Sequence, residues 1–183
     1  MSNKLTVLVG PTAVGKGTVV RHILKHHPDI HLSVSATTRF PRPGEENGKD
    51  YFFISSEEFD ELIKSQQMLE YAIVHGTNKY GTPRKPVTDA LARGEKVILE
   101  IDIQGARQIK KSMPEAIVIF IAPPSWEELV SRLESRGTES EAEMAKRLET
   151  ARAELDAAGE FDHVVINNEV ARCAEEVVEL MKA

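Results

Sequence analysis

The chain is predicted to fold as an α/β protein: a parallel five-stranded core sheet with helices on both faces. Three observations carry this. Five short apolar runs, at residues 5–9, 31–35, 97–102, 117–121 and 163–167, have the β-branched richness of strands buried on both faces. Helical spacing fills stretches between them. Three of those helices, at 86–93, 126–136 and 139–158, run into Gly94, Gly137 and Gly159, where a left-handed terminus would fall. Strand–helix alternation of this kind implies a parallel sheet with helices on both faces.

Taken in order, LTVLV (5–9) is the first strand, followed by a glycine-rich turn and a helix with apolar pairs at Val19/Val20 and Ile23/Leu24, ended by Pro28. HLSVS is the second strand. The rhythm then breaks between Tyr51 and Tyr80. YFFI and MLEYAIVH read as short strands of a separate mixed sheet, and between them SSEEFDELIKSQ begins with the capping-box pattern Ser55-x-x-Glu58. This segment is expected to project beside the main sheet. VILEID, IVIFI and HVVIN complete the core strands.

At 183 residues the chain suffices for one domain with a sizeable core and a small inserted unit. Apolar residues make up 41% and charged residues 28%, ordinary for a globular protein. The longest apolar runs are far too short to span a bilayer, and the N-terminal run leads straight into the glycine turn, unlike a signal peptide. The lone Cys173 forbids an internal disulfide and suits a reducing cytoplasm. A net charge of −6 argues against general nucleic-acid binding. If the ligands are anionic, the cations must be gathered locally.

GPTAVGKGT, Gly10 to Thr18, has two glycines five apart and a lysine. A minimal Gly-x4-Gly-Lys arises by chance in about one such chain in twenty. Here it follows a buried strand and opens a helix, the arrangement in which backbone N–H groups and a helix N-terminus face phosphates. Lys16 adds a point charge toward the β- and γ-phosphates. The bland alternative is a tight turn with a surface lysine. Gly17 removes the hydroxyl that usually ligates magnesium, leaving the ion to the nucleotide phosphates and water, with Thr18 one position on.

Downstream, Arg39 and Arg42 are held apart by Phe40-Pro41, a stiff spacing that suits a phosphate monoester. Tyr51 and Tyr80 could add hydroxyls. Surface pairing of these arginines with Glu45, Glu46 and Asp50 is the open alternative. Arg132 and Arg136 share a helical face, with Arg147 on the next helix; pairing with Glu128 and Glu143 is their alternative.

GPTAVGKGT, SVSATTRFPRPGEENGKDYFF, EIDIQGARQIK and PPSWEELVSRLESRGTESE together resemble guanylate kinase, from about Leu5 to the C-terminus and in the family's order. The resemblance implies transfer of the γ-phosphate of MgATP to GMP, with dGMP left open, by a cytoplasmic monomer or homodimer that uses neither nucleic acid nor membrane. It implies an ATP site at Gly10, Pro11, Thr12, Ala13, Val14, Gly15, Lys16, Gly17 and Thr18, with Arg132, Arg136 and Asn167. A GMP site would contain Ser35, Arg39, Arg42, Tyr51, Glu70, Tyr80, Thr82 and Asp102. Catalysis would rest on Lys16, Arg39, Asp102, Arg136 and Arg147. No protein metal ligand is implied; Mg2+ would be held mainly through ATP phosphates and water. The implied division is a core at about 1–34, 83–124 and 159–183, a GMP-binding insertion at 35–82 and a lid at 125–158.

Glu70 has a chemical argument of its own. Guanine presents N1–H and N2–H2 side by side, and one carboxylate accepts both. Adenine would leave that carboxylate unpaired, a mismatch worth about 10⁴-fold. Without the family, Glu70 reads as an exposed strand carboxylate. Ala13 stands where the family often has glycine, and the loop 75–83 runs one residue long, with Lys79 where a tyrosine often sits. The rival function is a non-catalytic guanylate-kinase-like binding module; such modules lose the loop lysine or lid arginines, whereas Lys16, Arg136 and Arg147 are present here.

Overall fold

The computed structural model describes residues 5–74, 78–135 and 141–182. Five parallel strands form the main sheet: β1 (Leu5–Val9), β2 (Ile30–Leu32), β7 (Lys96–Glu100), β8 (Ile117–Ala122) and β9 (His163–Ile166). Their spatial order is β2-β7-β1-β8-β9. Alternation along β1 divides the core. Leu5, Val7 and Val9 join one apolar cluster with Val97, Leu99 and Phe120, while Leu8 joins another with Ile98, Ile119 and Ile121. Helices cover both faces. α1 (Lys16–His26) buries Val19, Val20 and Ile23 and packs with α7 (Val170–Lys182), which buries Cys173, Ala174, Val177 and Val178.

Three core strands are shorter than expected, β9 by a single residue. β2 stops at Leu32; Ser33 N–H still donates to Ile98 O (3.1 Å), and the chain then leaves for the second sheet. β7 stops at Glu100 because Asp102 becomes the N-cap of α4 (Ile103–Ser112), its Oδ1 accepting from Gly105 N–H at 2.7 Å. The periodicity reading delimited neither α4 nor α7. α3 (Arg84–Ala92) begins before Pro86, since a proline in the first turn forfeits no intrahelical bond. Gly94 ends that helix at φ 83°, as expected. Gly159 does not take the left-handed role: it lies inside a 3-10 turn, Ala157–Glu160, that extends α6 (Glu141–Asp156). Gly137 lies outside the described residues.

The interrupting segment builds a second sheet of order β4-β3-β6-β5, from β3 (Ala36–Thr37), β4 (Phe52–Phe53), β5 (Met68–Val74) and β6 (Asn78–Pro83). It is mixed, β3 pairing parallel to β4 and antiparallel to β6. α2 (Ser56–Lys64) carries the capping box in full: Ser55 Oγ accepts from Glu58 N–H, and Glu58 accepts from Ser55 N–H. Phe59 of α2 is fully buried with Ala36 and Met68 beneath this sheet. Residues 75–77, within the loop of uncertain register, lie outside the described residues. α5 (Trp126–Glu134) and α6 are linked by Arg152, whose guanidinium lies 4.6 Å from the centre of the Trp126 ring.

Candidate active site

The glycine loop joins β1 to α1 at the carboxyl edge of the main sheet, where open α/β sheets bind ligands. Gly10 (φ 147°) packs so close to Ile121 O that a side chain there would collide with that carbonyl. Gly15 is left-handed at φ 97° and opens the helix. Ala13 also sits in the left-handed region, at φ 64°. The loop therefore keeps a glycine-like path at the strain of about 1–2 kcal/mol that an L-residue incurs there.

Two side chains brace the loop from behind. Asn167 Nδ2 and Arg132 Nη1 both donate to Val14 O, at 2.8 and 3.1 Å. Arg132 Nη2 also donates to Asn167 O at 3.3 Å. Asn167 is buried. With Ala13, Gly15 and Thr18 these residues line a pocket of about 310 Å3. Lys16 Nζ donates to the loop's own carbonyls, Gly10 O at 2.6 Å and Pro11 O at 3.3 Å.

A larger cavity, about 570 Å3, runs from Gly10, Thr12 and Lys16 to Ser35, Tyr51 and Glu70. Its floor includes Glu100 and Asp102, its far wall Tyr80 and Gly81, and its roof the α6 residues Lys146, Thr150 and Glu154. At the deep end, the Glu70 carboxylate is only 3% exposed. Thr82 Oγ1 donates to Glu70 Oε1 at 2.6 Å. Burial pushes the Glu70 carboxyl up to about 7; the Thr82 hydroxyl opposes the rise and the Asp102 charge adds to it.

Against the cavity-lining Tyr51 and Tyr80, the Arg39 guanidinium is forked onto Glu45, with both N···O distances 2.9 Å. Its Nε donates to the Tyr80 hydroxyl at 3.1 Å, and it lies 5.4 Å from the centre of the Tyr51 ring. The surface-pairing alternative is thus the one Arg39 adopts, Glu45 presenting two oxygens to the fork as a phosphate would. Arg42 is exposed, and its backbone N–H also donates to Glu45. Arg147 is half-buried on α6. Arg136 lies outside the described residues.

Among the residues at or near this cavity that escaped the sequence reading, four bear on its polar groups. Glu100 is raised in pKa by burial, opposed by Lys16 and Arg21. A Cβ on Gly17 would lie 3.5 Å from its Oε2, so this carboxylate faces the gap left by the missing hydroxyl. Glu154 Oε2 accepts the Thr12 N–H of the loop at 3.3 Å; burial raises its pKa and Lys16 opposes the rise. Its signal was its place seven residues after Arg147, two turns along one helix face. Gly105 and Gln108, on α4, are the others. Among the described residues no three His, Cys, Asp or Glu side chains converge as a metal cage. Glu100 and Asp102 are hard oxygen donors at the cavity, which fits Mg2+ that keeps its waters and leans on nucleotide phosphates.

The family model for guanylate kinase matches residues 2–183. The guanylate kinase of Leifsonia xyli subsp. xyli is 58% identical over 97% of this chain and 70% of its own length. That of Nocardia farcinica is 54% identical over 97% of this chain and 92% of its own. The crystal structure of guanylate kinase from Anaplasma phagocytophilum superposes with a TM-score of 0.79 at 33% identity, covering 98% of this chain and 84% of that one. With Lys16 and the cavity beyond it intact, the chain belongs to the guanylate kinase family.

Proposed function

We propose that the chain transfers the γ-phosphoryl group of ATP to the phosphate of GMP, giving ADP and GDP, in one cavity bounded by the glycine loop and the second sheet. The observation that carries this reading is the buried Glu70 carboxylate, held by Thr82 in the lining of the same cavity as Lys16. A desolvated carboxylate is matched by two adjacent N–H donors, which guanine has on N1 and N2. Ser35 lies beside the same cavity and can meet the O6/N7 edge. Arg39, Arg42, Tyr51 and Tyr80 would hold the GMP phosphate, which exchanges with Glu45 on the Arg39 fork.

The ATP phosphates would lie against the N–H groups of the loop between Ala13 and Thr18, with Lys16 swung from the Gly10 and Pro11 carbonyls onto the β/γ oxygens. Arg132 and Asn167 keep the loop in shape behind the nucleotide. Mg2+, held through phosphate oxygens and water with Glu100 and Asp102 nearby, would neutralise charge on the bridging oxygens. The rest is alignment: the GMP phosphate oxygen faces the γ-phosphorus, and Lys16, Arg136 and Arg147 balance the equatorial charge of a loose transition state. Three working parts follow, the core, the insertion at 35–82 and the lid at 125–158, in a cytoplasmic protein. No helix among the described residues is long and apolar enough to cross a membrane.

A coupled ADP-release assay with MgATP tests the reading, comparing GMP, dGMP, AMP, UMP and CMP. GMP-dependent turnover at least about 10⁴-fold more efficient than with AMP is expected from the carboxylate mismatch. GMP binding without turnover would instead support a non-catalytic module.

A further inference from the structure

The edge strand β5 carries Glu70, and it pairs with β6 on one side alone. On its other side, the backbone of the next residue, Tyr71, is met by a single side chain of α4. Tyr71 N–H donates to Gln108 Oε1 at 3.1 Å, and Gln108 Nε2 donates to Tyr71 O at 2.6 Å. One primary amide thus stands in for a neighbouring strand at this residue. Because Tyr71 offers one donor and one acceptor, the amide's orientation is fixed by its partners.

The same face of α4 touches Glu70 itself. Gly105, three residues before Gln108, lies so close that a Cβ would fall inside van der Waals contact of Glu70 Oε2. Gly105 is buried and its N–H is taken by Asp102, so its contribution to Glu70 is space. The strand is also irregular at this point. Met68 pairs with Pro83 and Glu70 with Thr82, leaving Leu69 as an extra residue that packs into the main core. Such a bulge re-aims the next side chain.

We infer that Gln108 and Gly105 are positioning residues for base selection: Gln108 sets the height of β5 over α4, and Gly105 leaves the slot in which the Glu70 carboxylate stands. This rests on Glu70 reading guanine. Neither residue needs to touch the nucleotide. A base-reading carboxylate tolerates little displacement, because both of its oxygens must meet guanine donors at hydrogen-bond distance.

The test is the ratio of kcat/KM for GMP to that for IMP, which lacks the 2-amino group, with KM for ATP measured alongside. Gln108→Met keeps length and bulk but removes both hydrogen bonds; Gln108→Ala removes bulk as well; Gly105→Ala fills the slot. Both Gln108 variants should lower the GMP:IMP ratio about tenfold, the scale of two lost hydrogen bonds partly replaced by water, and Gly105→Ala should lower it by crowding Glu70, with KM for ATP within about twofold of wild type. Glu70→Gln is the control. If it leaves the ratio unchanged, Glu70 does not read the base and the functional reading itself is wrong. If it collapses the ratio while Gln108→Met and Gln108→Ala keep it, the reading stands and this inference is overturned. A parallel rise of both KM values in the Gln108 variants would make the residue a general brace and would also overturn it.

Discussion

Replacing Glu70 by Gln should make the ligand-free protein more stable while impairing its recognition of GMP. The carboxyl's ordinary value is 4.5, and burial raises it to about 7. The sign follows from linkage. A raised folded-state value means the unfolded chain loses this proton more easily, so ionisation costs folding free energy. That cost begins above pH 4.5, grows to pH 7 and is constant beyond. A shift of this size corresponds to about 3 kcal/mol at pH 8 and under about 1 kcal/mol at pH 5. Gln keeps the shape and can accept the Thr82 hydroxyl without the charge. Urea denaturation of both proteins at pH 8 and pH 5 is the assay. The variant should be more stable by about 2–3 kcal/mol at pH 8, with most of the gain gone at pH 5. Equal stability at both pH values would mean that the Glu70 carboxylate is solvated in the free protein, and the argument for a desolvated base reader would fail.

Three further outcomes follow from the same geometry. If only ionised Glu70 accepts the guanine donors, KM for GMP should rise about 30-fold from pH 8 to pH 5.5. Dividing by the profile of Glu70→Gln removes the titration of the GMP phosphate, and a flat quotient would contradict the prediction. Asn167→Ala leaves Val14 O with Arg132 as its remaining brace. KM for ATP should climb about tenfold while KM for GMP stays put, and equal effects on both substrates would refute the bracing role. Ala13→Val puts a β-branched residue at φ 64°, and thermal melts should report a loss of at least about 2 kcal/mol. An unchanged melting temperature would mean that the loop does not need the left-handed conformation there.

Local patterns were the legible part of this molecule. The five core strands, the phosphate loop and the Ser55/Glu58 capping box are each written in neighbouring residues. α4 was obscured because its first turn contains Gly105, a poor helix former, and because Asp102 was read as the end of a strand when it caps a helix. The contacts that define the site join residues far apart in the chain: Thr12 with Glu154, Val14 with Asn167, Tyr71 with Gln108. No spacing rule reaches across such separations. Glu70 marks the limit most clearly. From its strand alone it reads as an exposed carboxylate, and only the bulge at Leu69 and the approach of α4 turn it into a buried one.

On this proposal one buried carboxylate selects the nucleotide to whose phosphate the γ-phosphoryl group is transferred. The most direct test is the ratio of kcat/KM for GMP to that for AMP, measured by ADP release at pH 8 in wild type and Glu70→Gln. Strong GMP preference is expected in the wild type, and its collapse by at least about a hundredfold in the variant. A variant that turns over GMP with undiminished preference would contradict it.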